Sequence, residues 1–171
     1  WAEHSIWPQD AGFTRALAGG ITTLQILPGS ANLFGGRGVT LKNLPATTYQ
    51  AMKFPNAPHG LKMACGENPK RVYGGRNKAP STRMGNVAAY RSAWIKAQKY
   101  RDDWAAYEAS DKDDKKAPER NLELETLAGA LAGDIIVASP QFFGGLVIDW
   151  TFGDVSFGVW GFFGVISGRP A

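Results

Sequence analysis

The apolar positions change period several times along the chain. Residues 21–27, Ile-Thr-Thr-Leu-Gln-Ile-Leu, are β-branched and largely apolar, and Pro28-Gly29 closes them. That pattern predicts a strand buried on at least one face. Residues 39–42 and 60–65 predict two further strands, and residues 134–137 a fourth. The longest helical pattern carries Val87, Tyr90, Trp94, Ala97, Tyr100, Trp104 and Tyr107 at steps of three and four, with Ser81 or Thr82 as its cap. A second helix is predicted after Asn121, carrying Leu122, Leu127 and Leu131 and closed by Gly133. A short one spans 10–18, capped by Asp10 and stopped by Gly19-Gly20. Residues 47–54 read as a turn or short helix ended by Pro55 and Pro58.

Between these elements, 30–38 reads as a glycine-rich loop, 66–80 as a long polar loop and 110–120 as a charged, solvated loop. Apolar strands alternating with helices predict an α/β fold with a parallel sheet. After Val137 the chain turns rich in Gly, Phe and Trp and loses any helical period. The division drawn is therefore 1–137 as the fold proper and 138–171 as a divergent tail, either an extra hairpin or a stretch foreign to the fold.

Length and composition narrow the picture modestly. A chain of 171 residues supports one domain, and 44% hydrophobic with 20% charged residues is globular rather than disordered. The net charge of +4 favours anionic ligands slightly and does not argue for nucleic acid. With Cys65 as the one cysteine, no internal disulfide forms. The apolar stretch nearest to membrane length, 142–166, is interrupted by Asp149, Asp154 and glycines, so no membrane span is expected. Residues 1–10 lack a basic segment followed by an apolar one, and the chain opens on Trp1. The expectation is an interior piece of a larger cytoplasmic enzyme, with an exported parent left open and the oligomeric state unassigned.

Candidate chemistry concentrates around one lysine. Lys62 sits inside an apolar strand whose following loop holds Glu67, Asn68, Lys70 and Arg71. In parallel α/β folds that end of a strand carries ligand sites. The alternative is a lysine that snorkels to solvent. Gly35-Gly36-Arg37-Gly38 offers backbone amides and a guanidinium to an anion, or is only a turn. The stretch 70–78 is a basic patch that either contacts an anionic substrate or is simply solvated. His4 and His59 stand too far apart in sequence for a paired-ligand motif and read as loop or packing residues. Cys65 lacks a recognisable base and reads as a structural thiol.

Two stretches carry a resemblance: Gly19-Gly20-Ile21-Thr22-Thr23-Leu24, and Gly60-Leu61-Lys62-Met63-Ala64-Cys65-Gly66-Glu67-Asn68-Pro69-Lys70-Arg71. Together they resemble the metal-dependent amidohydrolase superfamily, in its imidazolonepropionase-like and prolidase-like bacterial branch, over roughly 1–137. The resemblance implies a partial (β/α)8 TIM-type barrel holding early to middle strands. It also implies a divalent metal, zinc by expectation, that activates water against a small-molecule amide or cyclic C–N bond. Lys62 matches a lysine that is carboxylated and bridges two metals in prolidase-like members, with Arg37, Asn68 and Arg71 as substrate contacts. The family's paired histidines would precede Trp1 and its later ones would follow Val137, where none occurs. One expectation is thus a chain that does not hold the metal stably and is inactive alone, its tail arising from a frame change or splice. The alternative is a non-catalytic α/β module that binds an anion through Arg37 and 70–78.

Overall fold

Asp10 begins the first α-helix because its carboxylate accepts from the Gly12 amide at 2.6 Å. α1 runs Ala11–Ala18, and Gly20, at φ 84°, carries the chain out of it. A 3-10 turn, Ala2–Ser5, precedes it. The computed structural model describes residues 1–110 and 116–138, together with strand paths over 148–152 and 155–159. The solvated loop expected at 110–120 and the altered-frame reading of the tail fall in part outside the described residues.

β1 (Thr23–Pro28) pairs antiparallel with β3 (Val39–Lys42), Leu24 opposite Leu41 and Ile26 opposite Val39. These strands form a sheet with β6 (Ile148–Phe152) and β7 (Val155–Val159), β7 lying against β1 and pairing antiparallel with β6. Period-two alternation splits the β1 side chains. Ile26 joins Ala2, Phe13, Val39, Leu41 and Met52 in a first core, whose floor includes the short helix α2 (Tyr49–Met52). Leu27 points the other way, toward Gly38. A side chain at position 38 would run into Leu27 and stand 2.8 Å from the Ile26 carbonyl, so the close approach requires glycine there. Asn43 latches this half, its amide donating to the Phe13 and Ile21 carbonyls at 3.0 and 2.8 Å.

The second sheet has the order β2–β4–β5. β4 (Gly60–Met63) pairs antiparallel with β2 (Phe34–Arg37) and parallel with β5 (Ile136–Ala138). Between β4 and β5 come α3 (Glu67–Gly74), α4 (Arg83–Glu108) and α5 (Leu122–Ala132). Thr82 caps α4 through the Gly85 amide, and Asn121 caps α5 through the amides of Glu123 and Leu124. Leu61 and Met63 of β4 form a second core with Ala97, Leu127 and Ile135. Among the described residues no helix is long and apolar enough to cross a membrane.

Three expectations change. The glycine-rich stretch 30–38 contains a strand, β2, with an irregular register between Phe34 and Gly36. The polar stretch 66–80 contains α3, in which Pro69 sits in the first turn, where a missing amide costs nothing. The sheets are mainly antiparallel, with β4–β5 the parallel pair among the described strands. Within the predicted stripes Val87, Leu122 and Leu131 are exposed rather than buried.

Glu3 is a carboxylate with 8% side-chain exposure whose Oε2 accepts from Lys53 Nζ at 2.7 Å. That hydrogen bond holds its pKa below the ordinary 4.5 despite the opposing effect of burial. A lowered folded-state pKa stabilises the fold above the unfolded value, and the contribution is lost as pH falls through the folded one. Glu3→Gln is expected to lower the urea midpoint at neutral pH, with the difference from wild type shrinking below pH 4.5. Leu41→Ala, at a residue with 0% exposure, is expected to cost about 2–5 kcal/mol in the same measurement.

Candidate functional site

β4 is buried along its length, and its alternation decides where each side chain goes. Leu61 and Met63 face α4 and α5, so Lys62 faces away from the helices. It shares that side with Gly60, beside which lie Gln25 and Leu27 of β1. Lys62 is 2% exposed, which rules out the snorkelling alternative. The glycines opposite make the room. Gly36 is its register partner, and a side chain at Gly35 would stand 3.2 Å from the Lys62 Cγ. Ala138 of β5 lies on the other side in parallel register and is buried.

The chain just beyond Lys62 is clamped by α4. Tyr90 donates its hydroxyl to the Ala64 carbonyl and reaches the Leu33 carbonyl at 3.4 Å, joining the exits of β4 and of the loop before β2. Burial, with Cys65 beside it, pushes the Tyr90 phenol well above its ordinary pKa, so the hydroxyl keeps its proton and stays a donor. Asn86, one turn earlier and 0% exposed, donates to the Gly66 carbonyl at 2.9 Å. From α3, Tyr73 donates to Asn32 Oδ1 at 2.7 Å. Phe34 meets the rings of Tyr90 and Trp94 edge-on at 5.2 and 5.4 Å. The helical stripe identifies Tyr90 as packing but carries no sign of its clamp. The i, i+4 spacing of Asn86 and Tyr90 is the one sequence signal for it.

The other sequence candidates separate. Arg37 pairs with Leu61 and therefore faces the helices, opposite to Lys62. Its Nε donates to Thr126 Oγ1 at 2.8 Å, and its guanidinium lies 4.7 Å from the centre of the Trp1 ring. Asn68 and Arg71 sit on α3, the first half-buried and the second exposed. Lys70, within the basic stretch, pairs with Glu67 at 2.9 Å. Cys65 is half-buried beside Tyr90. Both histidines pack against Trp1, and His59 Nδ1 lies 3.1 Å from the Gly38 carbonyl. A cleft of about 570 Å³ between α4 and α5, lined by Tyr100, Trp104, Arg120 and Ala128 among others, lies on the helix side and does not include Lys62. Among the described residues no three His, Cys, Asp or Glu side chains converge. This stretch alone therefore does not fit the donor set of a zinc centre.

No protein-family model matches the chain. Amidohydrolase tasK of Hapsidospora irregularis is similar at 36% identity over 154 residues, covering 80% of this chain and 16% of that protein. The crystal structure of amidohydrolase from Thermotoga maritima MSB8 matches at 39% identity with a TM-score of 0.68, over 77% of this chain and 33% of that one. The chain thus spans well under half the length of either relative. Two relatives that share the name amidohydrolase support an amidohydrolase family and a mixed α/β fold for this chain.

The clamp has a direct consequence. Tyr90→Phe removes the hydroxyl and leaves the ring, and is expected to cost about 1–3 kcal/mol through the Ala64 carbonyl that loses its donor, the Leu33 carbonyl still accepting from the Ala64 amide at 3.1 Å. Thermal denaturation measures it, and an unchanged midpoint would show that the hydroxyl does not clamp.

Proposed function

We propose that this chain is the lysine-bearing part of a metal-dependent amidohydrolase, in the imidazolonepropionase-like and prolidase-like branch, that cuts a cyclic or non-standard C–N bond of a small amide. The observation that carries this reading is Lys62. A lysine is costly to bury unless it is paired, hydrogen-bonded or coordinated to a metal. Here it lies 2% exposed on the side of β4 away from the helices. The parallel β4–β5 pair with helices between its strands supports a place in a (β/α)8 barrel, where that side of the strand is the interior.

An amide resists attack by water unless the carbonyl is polarised and the water deprotonated, and a bound divalent metal, zinc in this reading, supplies both. The described residues do not hold such an ion by themselves. Among the described residues Lys62 is the ligand residue this reading assigns to the metal, which needs further ligands beside it. The chain's own work is to keep Lys62 in a dry setting, with its strand exit fixed by Tyr90 and Asn86. Asn68 and Arg71 on α3 follow directly on that exit and are the proposed substrate contacts, while Arg37 braces β2 against α5.

Two measurements test this. The chain alone, dialysed after zinc loading, is expected to retain less than one equivalent of metal and to hydrolyse no amide, and turnover by the isolated chain would overturn the reading. A chimera in which residues 1–137 replace the matching third of the Thermotoga maritima protein is expected to hydrolyse amides. Lys62→Ala in that chimera is expected to lower kcat/KM by at least about 100-fold. An active chimera indifferent to Lys62→Ala would equally overturn it.

A further inference from the structure

α4 is 26 residues long, about 39 Å, and gives only one side to the core. Tyr90, Ala97 and Trp94 pack toward Leu61 and Leu127 on that side. The opposite side carries a second row at alternating steps of four and three. Its first half is Met84, Ala88, Arg91 and Ile95; its second half is Gln98, Asp102, Ala105 at the rim of the cleft with α5, and the C-cap Ala109. All eight are exposed, Met84 by 82% and Ile95 by 70%, and Val87 beside them by 47%. The row follows the a and d spacing of a two-stranded coiled coil, with Met84 and Ile95 as its large apolar members and Arg91 and Asp102 as its charged ones.

The row is complementary to itself when reversed. Turning a copy about the midpoint between Lys96 and Ala97 sets Met84 against Ala109 and Ala88 against Ala105, a larger side chain or a small one meeting alanine each time. Ile95 then meets Gln98. Arg91 meets Asp102, and two-fold symmetry makes that pair twice. A parallel, in-register copy instead sets Arg91 against Arg91 and Asp102 against Asp102, so charge selects the antiparallel arrangement. Among the described residues Asp102 pairs with Arg101, its neighbour in sequence, at 3.4 Å. A guanidinium from a second copy can replace so long a contact.

We propose that the exposed side of α4 is a dimer interface, with two copies of this chain packed antiparallel across a two-fold axis at residues 96–97. The inference does not depend on the catalytic reading of Lys62. Sedimentation equilibrium on the wild-type chain and on R91D and D102R tests it, with circular dichroism confirming unchanged helix content. Wild type is expected to dimerise. Each single variant places like charges opposite each other twice, and its dissociation constant is expected to rise at least about 100-fold. An equimolar mixture of R91D and D102R is expected to recover a one-to-one heterodimer, because every facing pair is again opposite in sign. A wild-type chain that stays monomeric up to about 100 µM would overturn the proposal. So would single variants that dimerise as tightly as wild type, or a mixture that fails to associate.

Discussion

The alternation of side chains along β4 is the constraint on which the rest of the structure turns. Leu61 and Met63 must reach the α4 and α5 core, so Lys62 must go the other way. A slip of one residue would drive the lysine into the apolar contacts of Ala97 and Leu127. The register is held from both flanks, by β2 antiparallel and β5 parallel. It is held from beyond its end by the Tyr90 hydroxyl on the Ala64 carbonyl and by Asn86 on Gly66. The small residues facing Lys62, Gly35 and Gly36 on one side and Ala138 on the other, are the counterpart of a long side chain in a buried place.

This arrangement connects fold to chemistry without assigning the chain a complete active site. The strand supplies one buried lysine, and the described residues supply no cluster of metal-binding side chains beside it. Arg37, adjacent in sequence to the glycines that accommodate Lys62, turns to the helices and ties β2 to Thr126. One strand thus separates two roles, since Gly36 serves the lysine side and Arg37 the core side.

Much of the fold was legible from pattern alone. The caps Asp10, Thr82 and Asn121, the strands at β1, β3, β4 and β5, and the long amphipathic helix all lie where periodicity and capping chemistry put them. Three features were not legible, each for a physical reason. β2 is written in Phe-Gly-Gly-Arg, and glycine carries no strand signal of its own; the neighbouring β4 makes it a strand. α3 is polar and contains Pro69, and is held by Glu67–Lys70 and by Tyr73 rather than by a hydrophobic stripe. The direction of pairing is set by tertiary contacts, so apolar strands with intervening helices suggested more parallel sheet than the two sheets contain. At the site, the position of Lys62 was readable, but its burial was not, because snorkelling and inward lysines share the same sequence pattern. Val87, counted with the buried stripe of α4, belongs instead to the helix's exposed side.

Lys62 lies in a dry setting held by the folded register of β4. Native-state labelling with a small amine-reactive reagent, read residue by residue by mass spectrometry, tests it most directly. Lys62 is expected to react at least about 100-fold more slowly than exposed Lys99, and to reach the same rate only when the chain is unfolded. Labelling of Lys62 at the rate of Lys99 in the folded chain would put the lysine in water and rule out a dry, register-held site.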